Sequence, residues 1–184
     1  AIRSVYDPDR PPLAQHGGSG VGRIIFTAGR LFLPVTILVL AVYVFAIPFK
    51  FWEPFHDRSV LIVYNTLLFA VMALIVTATP LRPHSLAPHH ETLMRRGIVA
   101  VASLTLLVSL YAMAAVLYRT AQGGLTMNRL TVIGWNTVNI ATLALLVFRQ
   151  ARDGPADWVA ACHRTFRVGL VGYAAWTLFV LVGI

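Results

Sequence analysis

Two small groups of polar residues carry the side chains best suited to metal or acid–base chemistry. His84, His89 and His90 precede Glu91, and such residues coordinate Zn²⁺ when three or four of them converge. No cysteine accompanies them, and prolines divide the stretch, so we expect solvated loop histidines, with a zinc site as the alternative. No metal site is predicted.

The second group lies earlier in the chain. Glu53, His56 and Asp57 fall within five residues, and a carboxylate beside an imidazole could perform acid–base catalysis. Nothing near them in the sequence supplies a nucleophile or an oxyanion donor. We therefore predict no catalytic residue, and we predict that the protein is not an enzyme.

Three amides occur inside long apolar stretches: Asn65, Asn136 and Asn139. Asn136 and Asn139 are three residues apart, so a helix places them on one face. Hydrogen bonds between helices are the favoured interpretation, worth roughly 0.6–2 kcal/mol each. A polar ligand spot, or a ligand for the magnesium of a chlorophyll-like pigment, is the functional alternative.

Composition defines the class of protein. The chain has 184 residues, of which 58% are apolar and 12% are charged, whereas a soluble domain has about half and about a quarter. This excludes a soluble globule, a disordered chain and a fibrous repeat. Five charge-free segments have the length of a membrane-spanning helix. They cover residues 31–49, 59–81, 97–118, 130–148 and 168–184.

The fold class predicted is therefore all-α: a polytopic bundle of five transmembrane helices, residues 31–184, preceded by a polar arm, residues 1–30. An amphipathic stretch at residues 156–167 predicts a short interfacial helix before the last span, with Trp158 and Arg164 as interface anchors. The last span ends at Ile184 without a polar flank, so either Ile184 reaches the far interface or the chain continues.

Orientation follows from the distribution of Arg and Lys. The arm and the second and fourth loops carry 11 of the 15 basic residues, and the other two loops carry 4. This predicts a cytoplasmic N-terminus, with Trp52 and Arg129 as anchors on the far side. Because the basic residues are scattered, the net charge of +8 points to anionic lipids and not to nucleic acid.

The predicted spans contain none of the charged residues and none of the six histidines. Proton relays and ion pathways depend on intramembrane ionisable groups, and b-type haem needs axial histidines. The spans instead carry stripes of small residues at helical spacing, which allow close backbone approach. The stripes are Thr66, Ala70, Ala73 and Thr77; Ala102, Thr105, Ser109 and Ala112; and Gly134, Thr137, Ala141 and Ala144.

The junction between the third and fourth spans contains Gly124-Leu125-Thr126 followed by Arg129. It resembles the Tyr-Gly-Leu-Thr-x-x-Arg junction of a large uncharacterised family of bacterial multi-pass membrane proteins, over about residues 31–150, with Gly123 in place of the tyrosine. The resemblance implies a location in a bacterial inner membrane and transfers no catalytic residue. From the residues alone, Gly124 turns the chain, Thr126 caps the next helix and Arg129 anchors it.

Two functions remain open. The first is a non-catalytic accessory or structural subunit of a larger membrane complex, in which the arm contacts another integral membrane protein. The second is a small transporter or channel that acts as an oligomer. No covalent cofactor is predicted; bound lipid is expected, and a non-covalently held pigment or quinone stays open.

Overall fold

A computed structural model describes residues 20–80, 88–154 and 156–183, and this part of the chain folds into six helices. Five of them are long and apolar enough to cross a membrane, as predicted. The helices are α1 (Gly20–Ala46), α2 (Glu53–His56), α3 (Arg58–Ala78), α4 (Pro88–Gly123), α5 (Met127–Arg152) and α6 (Trp158–Gly183).

Helix α4 is the centre of the bundle. It packs against α1, α3 and α5, whereas α6 packs chiefly against α5. Its 36 residues span about 54 Å at ~1.5 Å per residue, which exceeds the ~30 Å hydrocarbon core. The main hydrophobic cluster includes Leu68 and Ile75 of α3, Ile98 and Val108 of α4, and Leu143 of α5.

The two ends of the bundle are named here after arginines of α4. The Arg95 end contains the C-termini of α3 and α5 and the N-termini of α1, α4 and α6. The Arg119 end contains the connection from α1 to α3 and the short turn between α4 and α5.

The first helix is longer than the sequence predicted. Helix α1 begins at Gly20, so part of the predicted arm is helical, and Pro34 lies inside the helix. Once a helix is nucleated, each further residue that is fixed adds one hydrogen bond, and no proline interrupts residues 20–33. Residues 1–19 of the arm lie outside the described part of the chain.

The predicted interfacial helix before the last span is wrong. Residues 158–183 form the single helix α6, which begins ten residues before the predicted span. No proline follows Trp158, so helical hydrogen bonding continues, and the apolar side of this segment packs on protein. Trp158, Val159 and Cys162 are all buried. Helix α4 likewise begins at Pro88, earlier than the predicted residue 97.

The turn between α4 and α5 agrees with the prediction. Gly124 has a φ of 75°, a left-handed conformation that glycine adopts without steric cost. Helix α5 begins at Met127, and the Thr126 side chain accepts a hydrogen bond from the Arg129 backbone N–H. This cap satisfies one of the free amides of the first turn.

Aromatic side chains gather between α1 and α3 at the Arg119 end. Trp52 is exposed and packs beside Phe51 and Phe55, and Phe55 contacts Tyr118 with ring centroids 5.4 Å apart. The Tyr111 hydroxyl donates a 2.7 Å hydrogen bond to the Phe51 carbonyl. Helix α4 therefore holds this connection in place.

Candidate functional site

The two amides of α5 are buried between helices. Asn136 and Asn139 are 1% and 0% exposed. The Tyr173 hydroxyl of α6 donates a hydrogen bond to Asn139 Oδ1. Asn139 Nδ2 and both polar side-chain atoms of Asn136 have no hydrogen-bond partner among the described residues. One amide therefore joins α5 to α6, and the other is enclosed without a partner.

Ser109 of α4 lies at a similar depth in the bundle. Arg129 bonds to the Arg119 carbonyl; Ser109 precedes Arg119 by ten residues and Asn139 follows Arg129 by ten. In antiparallel helices these equal offsets place Ser109 and Asn139 at similar levels, about 15 Å along the helices from the Arg119–Arg129 contact. Ser109 Oγ is also buried without a partner in the described chain, so this level is unusually polar.

Asn65 has a different environment. Its Nδ2 donates a 2.8 Å hydrogen bond to the Leu61 carbonyl, one turn earlier in α3, and the residue is half-buried. The amide therefore bonds within its own helix. Its side chain also lines a groove near the α4–α5 turn.

Of the three small-residue stripes, the one on α4 lies wholly inside the bundle. Ala102, Thr105, Ser109 and Ala112 are fully buried. Thr105 Oγ1 donates a hydrogen bond to the Val101 carbonyl, one turn earlier in the same helix. Small side chains on this face let the neighbouring helices approach α4 closely.

The stripe on α3 faces outward. Thr66, Ala70, Ala73 and Thr77 are all exposed, and the two threonines donate to carbonyls of their own helix. Larger exposed side chains flank the stripe on the helix surface, including Ile62, Phe69 and Val76. The outer face of α3 therefore has a shallow strip of small residues beside bulky ones.

The stripe on α5 is divided between two environments. Thr137, Ala141 and Ala144 are exposed, but Gly134 lies directly under Trp176 of α6, and a Cβ there would overlap the indole ring. Thr142 packs against Gly169 of α6. The contact between α5 and α6 thus depends on one glycine from each helix.

A hydrogen-bonded network joins α4, α5 and α6 at the Arg95 end. Gln150 is 2% exposed. Its Nε2 donates to the Trp158 carbonyl and to Cys162 Sγ. Its Oε1 and its backbone carbonyl accept bonds from Arg95, at 3.3 and 2.7 Å. Trp158 Nε1 donates to Glu91 Oε1 at 2.9 Å.

These five residues form what we call the Gln150 network: Glu91, Arg95, Gln150, Trp158 and Cys162. Sequence reasoning missed it, although a signal existed. Asn136, Asn139, Leu143, Leu146 and Gln150 recur at spacings of three and four, so Gln150 continues the buried face of α5. Gln150 lies two residues beyond the predicted span, which ends at residue 148, so apolar length alone does not indicate that it is buried.

The predicted interface anchors of this end have other roles. Trp158 is buried within protein and bonds through its indole N–H, so it does not face lipid. Arg164 Nη2 forms an ion pair with Asp153 Oδ2 at 2.7 Å, with the arginine side chain 55% exposed. This pair links the end of α5 to the start of α6.

A groove of about 620 Å³ opens at the Arg119 end between α3, α4 and α5. We call it the Arg119 groove. Its polar lining comprises Asn65, Thr66, Arg119, Thr126, Asn128 and Arg129, and its apolar lining comprises Leu61, Ile62, Phe69, Val116 and Val132. Arg119 Nη1 is buried and has no hydrogen-bond partner among the described residues.

Arg129 holds the α4–α5 turn from within this groove. Its Nη1 donates to the carbonyls of Arg119 and Gly124, at 3.0 and 2.6 Å. These carbonyls belong to the last turns of α4 and to the turn that follows it. The predicted anchor thus bonds to backbone, while its charge stays at the mouth of the groove.

The acid–base group of the α1–α3 connection is engaged in local contacts. Glu53 forms an ion pair with Lys50 at 2.8 Å, and His56 Nδ1 shares a hydrogen bond with the Trp52 carbonyl. Among the described residues, no three His, Cys, Asp or Glu side chains converge on a metal position. His84 and the side chains of His89 and His90 lie outside the described part.

Comparisons of the chain with protein-family models, with curated proteins and with solved structures find no match.

Proposed function

We propose that this protein is a non-catalytic accessory or structural subunit of a larger membrane complex, in a bacterial inner membrane and with a cytoplasmic N-terminus. The observation that supports this most directly is the outward strip of α3. Thr66, Ala70, Ala73 and Thr77 are exposed between bulkier neighbours, and strips of this kind receive helices of other membrane proteins.

Peripheral helices support the same function. Helix α6 exposes Leu170, Leu178 and Leu181 to the surroundings, each more than 60%, and α1 exposes Leu31 and Leu38 to a similar extent. Lipid alone can cover such leucines, so they do not distinguish a partner from the bilayer. The small residues of α3 favour a partner over lipid, because close approach of a second helix gains van der Waals contact there.

The test is a matched pair of phenylalanine substitutions. Ala73→Phe fills the outward strip of α3, and Leu38→Phe adds the same ring to an exposed position of α1. Both sites are on the surface, so we expect both variants to fold. In native gels of mild-detergent extracts, the wild type and Leu38→Phe should migrate as an assembly well above the 20.2 kDa chain. Ala73→Phe should release the monomer.

Migration of all three as monomers would contradict an accessory role. The second candidate, a small transporter or channel, is favoured by the polar level of Ser109, Asn136 and Asn139, whose unpaired atoms could contact a polar solute. Solute flux in liposomes that is lost in Asn136→Leu would support that candidate instead.

A further inference from the structure

We infer that the Arg119 groove is a binding site for an anionic amphiphile: a lipid whose phosphate lies between Arg119 and Arg129 and whose acyl chain lies along α3. The inference depends on the membrane location of the chain and not on the accessory role.

The described lining of the groove is positively charged. Two guanidinium groups line it, and its lining contains no Asp or Glu. The nearest acidic residues in the sequence do not supply a free counter-charge, because Glu53 pairs with Lys50 and Asp57 has a contact of its own. The groove is therefore cationic.

Arg119 is the lining residue that most needs an acceptor. Its Nη1 is buried and unpartnered within the described chain, on a residue that is half-buried as a whole, and a buried donor without an acceptor costs about 1–3 kcal/mol. Arg129 already bonds through Nη1 to two carbonyls, which fixes its guanidinium beside the groove. Because a guanidinium carries five N–H donors, Arg129 retains donors for a phosphate oxygen.

The remaining lining indicates an amphiphile. Besides the arginines and other polar groups, the groove has an apolar wall that includes Ile62, Phe69 and Val132. Phe69 packs against Trp135 with ring centroids 5.9 Å apart. A soluble anion would leave these side chains unused. A volume of about 620 Å³ accommodates a headgroup with the first part of a chain, within the usual range for ligand sites.

The location fits a lipid as well. The groove is open and lies beside the α4–α5 turn, where two apolar spans end. Arginines at this level of a membrane protein lie among headgroups. A phosphate can therefore reach Arg119 while its acyl chain stays in the hydrocarbon along α3.

Binding can be measured by native mass spectrometry of the purified chain in neutral detergent. The probes are phosphatidylglycerol and phosphatidylcholine with identical acyl chains. We expect the wild type to bind phosphatidylglycerol about tenfold more tightly, and Arg119→Gln to lose that preference. Arg96→Gln, an exposed arginine at the other end of α4, is the matched control and should keep it.

The apolar wall has its own control. Phe69→Ala should weaken phosphatidylglycerol binding several-fold, whereas Phe148→Ala, also exposed but at the Arg95 end, should not. Arg119→Lys keeps the charge and should retain part of the preference, which separates lost binding from lost folding.

Three outcomes would overturn the inference. The first is equal binding of the two lipids by the wild type, and the second is an equal effect of Arg119→Gln and Arg96→Gln. The third is thermal stabilisation by inorganic phosphate alone that equals stabilisation by phosphatidylglycerol, because the site would then take a soluble anion.

Discussion

Arg95 and Arg119 lie on the same helix, 24 residues apart, one at each end of the bundle. At one end, Arg95 donates to the side chain and the backbone of Gln150. At the other end, Arg119 Nη1 has no acceptor in the described chain. The two arginines therefore differ in hydrogen bonding: Arg95 has acceptors on α5, and Arg119 Nη1 has none in the described chain.

This difference suggests that the two ends of the bundle have different roles, one in stability and one in ligand binding. The Gln150 network closes on itself: the glutamine bonds to Arg95, Trp158 and Cys162, and Trp158 bonds to Glu91. A satisfied buried network fixes the arrangement of its helices. The Arg119 groove keeps a donor and an apolar wall open. We therefore expect the Arg95 end to govern stability and the Arg119 end to govern ligand binding.

The largest expected effect comes from breaking the Gln150 network. Gln150→Leu removes the acceptor of Arg95 Nε and the donor to the Trp158 carbonyl. Unsatisfied buried groups cost about 1–3 kcal/mol each, so we expect a loss of about 3 kcal/mol in the free energy of unfolding. Titration with SDS in mild detergent, followed by circular dichroism, measures it.

Gln122→Leu is the control for that loss. Gln122 is exposed at the end of α4 nearest the groove, so the same exchange should change the free energy of unfolding by less than about 0.5 kcal/mol. Equal losses at positions 150 and 122 would show that the Arg95 end has no special role in stability.

The next effect concerns the contact between α5 and α6. Gly134→Ala places a methyl group where the Trp176 indole lies, and such overpacking costs about 1–3 kcal/mol. We expect a lower midpoint in the same SDS titration. Gly183→Ala is the control, since a Cβ there makes ordinary contact with Phe179. If the ring overlap is the cause, Trp176→Leu combined with Gly134→Ala should recover most of the loss.

Apolar length and turn residues were sufficient to predict five spans and the α4–α5 turn, because both depend on local chemistry. Features that depend on packing between helices could not be predicted in this way. The amphipathic pattern of residues 156–167 predicts an interfacial helix, since no local signal reveals that Trp158 and Cys162 face α4 and α5. Which stripe faces inward was equally hidden: the stripes of α3 and α4 have similar composition, and only packing distinguishes them.

The candidate sites differ in the same way: one could be predicted from local chemistry, and the other depends on helix packing. Asn139 was recognisable as a contact between helices because an amide in an apolar span needs a partner. The Arg119 groove was not recognisable, because Asn65, Arg119 and Arg129 come from three segments whose proximity depends on how α3 and α5 pack on α4.

A smaller loss of stability is expected for the Tyr173–Asn139 hydrogen bond, which lies midway between the two ends. Tyr173→Phe removes the donor to Asn139 Oδ1, and hydrogen bonds between membrane helices average about 0.6 kcal/mol. We expect a loss of about 1 kcal/mol or less in the free energy of unfolding. In a double-mutant cycle, Tyr173→Phe should have no further effect once Asn139 is replaced by Leu. Additive losses would show that the two side chains do not interact.

The smallest loss of stability is expected at Arg119, and it tests the comparison directly. In neutral detergent without anionic lipid, Arg119→Gln should not lower the free energy of unfolding, because Nη1 has no bond in the described chain to lose and the exchange removes a buried charged donor that lacks an acceptor. Arg95→Gln should cost about 1.5–3 kcal/mol, since two bonds from a charged donor disappear. The two variants share residue type, helix and substitution, so environment alone distinguishes them. Equal losses in the SDS titration would mean that Arg119 has a structural partner, and the division of the bundle into a stabilising end and a binding end would fail.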